Sequence, residues 1–134
     1  MVIVGFDPGR QKCGVAVMGR DRTLHDHQIV ASEAAIAHLE GLRQRYAIEL
    51  VVMGDQTTSK EWRKRLEAEL QPAVPVVRVD ERYSTLEARD RYWQMYPPKG
   101  LGRWMPRSLR SIPRPIDDIV AILLIERYLA QGLS

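Results

Sequence analysis

The amino-acid sequence predicts an α/β fold: one mixed sheet with helices packed on its faces. Two observations lead to this class. Three short strand-like segments come first with no helical pattern between them, which predicts an antiparallel meander. After them, helical and strand-like segments alternate as in βαβ units, so the later strands are expected to extend the same sheet.

Five strands are predicted. The first, Val2 to Asp7, is short, apolar and β-branched, and Pro8 and Gly9 end it. Residues 13–18, 50–53 and 74–79 are short runs of small or apolar residues, and residues 24–31 complete the initial meander.

Four helices are predicted, at about residues 32–46, 59–70, 84–94 and 116–130. Ser32 is expected to cap the first helix, and Thr58 or Ser59 the second. Ser84 and Glu87 have the spacing of a capping box for the third. The fourth follows a proline and is the most apolar of the four.

The composition is typical of a single globular domain, 1–134. Of the 134 residues, 45% are hydrophobic and 28% are charged, which excludes a disordered tail. The longest apolar run, Ile119 to Ile125, is far too short to span a membrane, and no secretory signal is expected, so we predict a cytoplasmic protein without a membrane partner. The one cysteine, Cys13, excludes a disulfide framework, and no P-loop or dinucleotide motif indicates a nucleotide cofactor.

Positive charge is concentrated in one stretch of the chain. The net charge is +3, but five basic residues and no acidic one lie between Tyr96 and Pro115, so the rest of the chain is slightly acidic. These residues are Lys99, Arg103, Arg107, Arg110 and Arg114. Five of the eight prolines lie there too, which predicts a basic Pro/Arg-rich insertion at about 96–115.

The arginine spacing would align four guanidinium groups on a short helix, where they could bind the phosphates of a nucleic acid. Four aromatic residues nearby could stack on unpaired bases: Tyr92, Trp93, Tyr96 and Trp104. Alternatively, these rings cover the core and the arginines are solvated.

Acidic residues follow the strands at the points where the strands end. They are Asp7, Asp55, Asp80 and Glu81, joined by Asp117 and Asp118 at the start of the last helix. Groups beyond the carboxyl ends of parallel strands converge on one crevice. Converging carboxylates need a cation, and their hard oxygens suit Mg²⁺ or Mn²⁺. Two divalent ions held by a cluster of carboxylates form the site that cleaves phosphodiesters in nucleases and polymerases.

Each acidic residue also has a structural explanation. Asp55 could belong to a turn, Asp117 and Asp118 could complement a helix dipole, and Asp7 precedes a Pro-Gly turn. A carboxylate at the end of a central strand loses hydration, however, and needs a compensating partner. The joint pattern therefore favours a metal site.

Three motifs resemble those of a nuclease family. Residues 6–9 (FDPG) with 13–17 (CGVAV) resemble the first motif of the RuvC-like nucleases. Residues 79–89 (VDERYSTLEAR) are similar to the signature of the YqgF family, and residues 116–124 (IDDIVAILL) resemble its last motif. The motifs stand in the family's order and span nearly the whole chain.

The resemblance implies a ribonuclease H-like fold with strand order 3-2-1-4-5 and helices on both faces. It also implies a metal-dependent endonuclease, either a Holliday junction resolvase or a nuclease that matures the precursor of 16S ribosomal RNA. Asp7, Glu81 and Asp117 would be the catalytic, metal-binding carboxylates, holding one or two Mg²⁺ or Mn²⁺ ions. Branched DNA or precursor rRNA would be the partner, and a homodimer would allow symmetric cutting of a junction.

The sequence departs from the resolvase pattern at two places. Where resolvases have a ligand Glu near the end of strand four, Asp55 is the candidate substitute, and Asp118 is a further possible ligand. Where resolvases have a second Asp in the last motif, this chain has Val120. The alternative function is therefore a nucleic-acid-binding module with little or no turnover.

Three more basic residues are candidate phosphate contacts: Arg10 and Lys12, in the turn after the first strand, and Arg82, in the signature motif. The histidines are not expected to bind a metal. His25 and His27 alternate on one strand face with no carboxylate motif beside them in the sequence. A phosphate-binding fragment of the actin and sugar-kinase type would need a second half that 134 residues do not provide.

Overall fold

A computed structural model describes residues 1–55, 58–70, 74–98, 100, 104 and 111–132. The strands are β1 (Val2–Asp7), β2 (Lys12–Gly19), β3 (Leu24–Ala31), β4 (Ile48–Gly54) and β5 (Val76–Val79). The helices are α1 (Ala35–Arg45), α2 (Ser59–Glu69), α3 (Ser84–Met95) and α4 (Asp117–Gly132), and a 3₁₀ turn (Ser32–Ala34) precedes α1.

The strands form one sheet in the order β3-β2-β1-β4-β5. β1, β2 and β3 are antiparallel neighbours, whereas β4 and β5 extend the sheet from β1 in parallel. The predicted mixed sheet of the ribonuclease H-like fold is thus confirmed. Because β1 is central and parallel to β4 and β5, its last residue, Asp7, lies at the end of the sheet where β4 and β5 also end.

Alternate residues of the strands enter two separate cores. Val4 and Phe6 of β1 face α1 and α2, and the Phe6 ring meets Trp62 of α2 edge to face, with ring centroids 5.2 Å apart. Ile3 faces α3 and α4 on the other side of the sheet. Every residue from 119 to 125 of α4 is buried, which explains why this stretch of the helix is apolar on all sides.

The predicted helix caps at two serines are wrong. The Ser32 hydroxyl donates a hydrogen bond to the carbonyl of Gly9 (2.7 Å), so it ties the turn after β1 to the 3₁₀ turn instead of capping α1. Ser84 is already the first residue of α3, and Tyr83 is the N-cap without a side-chain hydrogen bond. The predicted Ser84–Glu87 capping box therefore does not form.

Smaller differences concern element bounds and burial. β5 begins at Val76 instead of residue 74, and α4 continues through Gly132. Cys13 is a buried core residue, as predicted.

Within the described ranges, no helix has the length and apolar character needed to cross a membrane. Four basic residues of the predicted insertion, Lys99, Arg103, Arg107 and Arg110, lie outside the described residues, so their alignment stays a prediction.

Candidate active site

Asp7 is flanked on both sides by glycines of the neighbouring strands. It pairs directly with Gly14 of β2, and the register that pairs Phe6 with Met53 of β4 brings Gly54 level with it. Since residues at one level of neighbouring strands share a face, the glycines leave the space beside Asp7 free of side chains. Glycine inside a strand commonly marks such a close approach by another group.

Two different groups use this space. A Cβ atom at Gly14 would overlap the backbone carbonyl of Asp117, so the first turn of α4 lies directly on β2. A Cβ atom at Gly54 would overlap the carboxylate of Glu81, which therefore lies over β4. In the sequence, Gly14 is one small residue among several in a predicted strand and Gly54 stands just after another, so neither indicates this role.

The carboxylates Asp7, Glu81 and Asp117 consequently face one cleft of about 240 Å³. The cleft is lined by Asp7, Pro8, Glu81, Ser84, Thr85, Ile116, Asp117 and Val120. Val120 occupies the position at which the resolvase pattern has its second Asp, so the structure shows an apolar side chain there in the cleft itself.

The environment of the cleft disfavours the ionised form of Asp7. Burial, and then the charges of Asp117 and Glu81, raise the pKa of Asp7 from 3.8 to about 7. Desolvation and like-charge repulsion act in the same direction because both disfavour the ionised carboxyl. Near neutral pH, Asp7 therefore holds a proton for a substantial part of the time.

The loop between β5 and α3 presents Glu81, and α4 fixes this loop. Arg127 of α4 donates hydrogen bonds to the carbonyls of Asp80 (2.8 Å) and Arg82 (2.7 Å), on either side of Glu81. Tyr83, the next residue, has a positive φ of 63°, an unusual conformation for a non-glycine residue. Arg127 was not identified from the sequence, since nothing in its local pattern indicates partners more than 40 residues away.

Asp118 does not line the cleft, although it is adjacent to Asp117 in the chain. It is 3% exposed and contacts His27 Nδ1 (2.6 Å) and the guanidinium of Arg114 (3.1 and 3.3 Å). Burial alone would raise its pKa, but the hydrogen bonds from Arg114 and His27 hold the pKa of Asp118 below its ordinary value. No carboxylate motif lies beside His27 in the sequence, but the fold brings Asp118 to it.

Two other acidic residues lie away from the cleft. Asp55 is exposed after β4 and is not among the residues that line the cleft. Asp80 accepts hydrogen bonds from the backbone and the side chain of Arg82, and these lower its pKa. The described geometry therefore groups three of the predicted carboxylates.

The predicted phosphate contacts have different environments, and one of them lies beside the cleft. Lys12 Nζ lies 3.7 Å from Asp117 Oδ2 with about half of its side chain exposed, so it stands at the rim of the cleft. Arg10 lines a separate cavity of about 520 Å³ beside Trp62. Arg82 is engaged by Asp80, and Arg114 by Asp118.

The predicted stacking residues have different environments. Tyr92 is 6% exposed and belongs to the core, and the Arg114 guanidinium lies 5.6 Å from the ring centroids of both Tyr92 and Tyr96. Trp104 is 77% exposed. Tyr92 is thus a packing residue, as the alternative interpretation held, whereas Trp104 remains accessible to a base.

The donor set of the cleft suits a hard divalent cation. Carboxylate oxygens are the ligands that Mg²⁺ and Mn²⁺ prefer, and the raised pKa of Asp7 shows that burial and the charges of Asp117 and Glu81 disfavour its ionised form. Nowhere in the described part of the chain do three acidic, histidine or cysteine side chains already surround one point. Asp7, Glu81 and Asp117 line the same cleft, and the chemistry of their oxygens fits a hard cation.

Comparison with known proteins identifies the family. The chain matches the family model RuvX, described as Holliday junction resolvase, over residues 1–131, whereas no curated protein sequence matches it. Its structure is similar to the Fowlpox virus resolvase, crystallised with substrate Holliday junction DNA (TM-score 0.70, 12% identity, 100% of both chains). It is also similar to RuvC of Thermus thermophilus (TM-score 0.57, 18% identity, 98% of this chain and 96% of that one). These two likenesses show the fold, and the family match shows that this chain belongs to the RuvX family of Holliday-junction-resolvase-like nucleases.

Proposed function

We propose that Asp7, Glu81 and Asp117 form the catalytic centre of this nuclease and that they hold one or two Mg²⁺ or Mn²⁺ ions. The observation that carries the proposal is the flanking of Asp7 by Gly14 and Gly54, which makes room for the other two carboxylates at one cleft. Resolvases of this kind generally depend on divalent metal ions.

Each part of the cleft has a role in phosphodiester hydrolysis. Divalent ions at such a site activate a water and stabilise the leaving oxygen. The three carboxylates hold these ions, and Arg127 keeps Glu81 in place through the loop carbonyls. Lys12 at the rim binds a phosphate next to the cleft and thereby offsets the negative potential that a nucleic acid meets there.

The proposed substrate is branched DNA. The Fowlpox virus resolvase was crystallised with Holliday junction DNA, and its fold covers the whole of this chain. A homodimer would place two clefts on the two strands that a symmetric cut requires. Precursor rRNA is the other substrate that the sequence resemblance implies, and the same test distinguishes it.

The test compares cleavage of a four-way DNA junction and a precursor 16S rRNA fragment in Mg²⁺. Asp7→Asn, Glu81→Gln and Asp117→Asn should each lower cleavage by about 100-fold or more, because each removes a proposed ligand. Asp55→Asn removes the same charge outside the cleft and should cleave normally. Undiminished cleavage by Asp7→Asn would show that the activity arises elsewhere.

A second function is favoured by one observation: Val120 lines the cleft where the resolvase pattern has an Asp. With three carboxylates, the chain could bind branched nucleic acid and turn it over slowly or not at all. Salt-dependent binding of the junction without Mg²⁺-dependent cleavage of DNA or RNA would establish this function. Efficient cleavage would exclude it.

A further inference from the structure

A groove on the far side of the sheet from the cleft carries an excess of positive charge. It has a volume of about 320 Å³ and is lined by Lys60, Arg63, Lys64, Glu67 and Arg78. Four of the five lining side chains are cationic, and one is acidic. The groove lies between α2 and the strand β5.

Ion pairing divides these cations into two groups. Arg63 is paired with Glu67 (3.0 Å), and Arg65, further along α2, is paired with Glu69 (3.0 Å). Lys60, Lys64 and Arg78 are exposed and have no ion pair among the described residues. We call these three the Lys60–Arg78 surface.

This arrangement is electrostatically unfavourable in the isolated protein. Lys60 and Lys64 are four residues apart on one helix, and like charges at that spacing destabilise a helix. Arg78 adds a third positive charge, and its guanidinium lies 3.5 Å from Ser59 Oγ at the start of α2. A charge on an edge strand can serve to prevent edge-to-edge pairing, which would account for Arg78 but not for the two lysines.

The Lys60–Arg78 surface lies at the same end of the sheet as the carboxylates. α2 begins just after the carboxyl end of β4, and Arg78 is three residues before Glu81. β5 is two strands from β1, a separation of roughly 10 Å across the sheet. The two sites lie on opposite faces of the sheet but at the same end, so a branched nucleic acid with one strand in the cleft can reach this surface with a segment that passes around that end.

We propose that the Lys60–Arg78 surface binds the phosphodiester backbone of a second segment of the nucleic acid whose scissile strand lies in the cleft. The proposal rests on the proposed function, since it needs a nucleic acid at the cleft. Three unpaired cations provide sequence-independent affinity through phosphate contacts and counterion release. The surface thus recognises that the substrate is branched or extended, whereas the cleft carries out hydrolysis.

The experiment measures junction affinity in EDTA from 50 to 200 mM salt, and cleavage in Mg²⁺ at saturating protein. Lys60→Gln/Lys64→Gln should weaken junction binding roughly 10- to 50-fold at 0.1 M salt and reduce the slope of log K against log salt by about 1.8, the loss of two phosphate contacts. Cleavage at saturating protein should stay within about twofold of wild type, because the cleft is unchanged. Melting temperatures check that the variants fold.

Arg22→Gln/Arg45→Gln is the matched control. It also removes two positive charges, but Arg22 lies in the β2–β3 hairpin and Arg45 ends α1 just before β4 begins, both at the opposite end of the sheet. We expect its affinity within about twofold of wild type. Equal effects of both double variants would overturn the proposal, because only net charge would then matter.

The outcomes separate this proposal from the proposed function. If Lys60→Gln/Lys64→Gln cleaves normally and binds the junction as tightly as wild type, the proposal for the Lys60–Arg78 surface is overturned and the proposed nuclease function stands. If only this variant loses junction affinity and the protein does not cleave, the proposal for the surface is supported and the proposed nuclease function is overturned. Absence of any binding to DNA junction or RNA overturns both. The same loss on the precursor rRNA fragment shows that the surface recognises the backbone of either nucleic acid.

Discussion

Replacing Asp7 with asparagine should stabilise the metal-free protein, by an amount that depends on pH. The unfolded chain ionises Asp7 near 3.8, whereas burial and the charges of Asp117 and Glu81 raise the folded pKa to about 7. Between these values the folded protein keeps a proton that the unfolded chain has released. The free energy of unfolding therefore falls as the pH rises through this range, and the loss is complete above pH 7.

The magnitude follows from the separation of the two pKa values. About three pKa units correspond to about 4 kcal/mol between the protonated and ionised states. Asparagine has a similar shape and no charge to desolvate, so it avoids this loss. We expect Asp7→Asn to be more stable than wild type by about 2 to 4 kcal/mol at pH 8, or about 5 to 15 °C in melting temperature. At pH 4 the two proteins should differ little.

The assay is thermal unfolding followed by circular dichroism in EDTA at pH 4, 6 and 8. Asp55→Asn serves as the control, because Asp55 is exposed at the same end of the sheet, and its removal should change stability by less than about 0.5 kcal/mol. Adding Mg²⁺ should raise the melting temperature of wild type more than that of Asp7→Asn. An Asp7→Asn protein that is less stable than wild type at pH 8, or equally stabilised at pH 4, would refute the reasoning.

Three further substitutions test particular contacts. Gly54→Ala should lower cleavage at least tenfold with little loss of stability, because the flexible Glu81 carboxylate must move away; Gly41→Ala, with open space around its Cβ position, should cleave normally. Arg127→Gln should lower kcat about tenfold and change junction affinity in EDTA less than twofold, since it frees the loop that carries Glu81. Asp118→Asn should cost about 2 kcal/mol at pH 7. Because hydrogen bonds lower its folded pKa, urea unfolding should show that cost disappearing as the pH falls below about 3.8.

The elements that the sequence predicts well are those with a strong local pattern. β3 has the same bounds in the structure as in the prediction, and residues 119–125 form the core of α4. The caps were less predictable, because a serine hydroxyl has several possible partners. Ser32 binds the carbonyl of Gly9 across the β1–β2 turn, a contact between residues 23 positions apart.

The residues of the site also fall into two groups: those that the sequence indicates and those that only the folded structure reveals. Asp7, Glu81 and Asp117 stand in motifs, so a sequence can indicate them before their geometry is known. Asp118 follows Asp117 directly, yet α4 turns it toward His27 on β3, and only the packing of the helix on the sheet determines this. Similarly, the sequence contains Arg127 without any sign that it binds the loop that carries Glu81.

The geometry at Asp7 explains why stability and activity should change in opposite directions there. Gly14 and Gly54 provide no side chains to pack against Asp7, so the backbone of α4 and the Glu81 carboxylate occupy the space. The folded state thereby gathers three carboxylates in a partly buried cleft, which is unfavourable until a cation binds. A substitution that removes this repulsion stabilises the fold and removes a proposed ligand at once. Substitutions at the Lys60–Arg78 surface leave that balance unchanged, so the two regions can be tested independently.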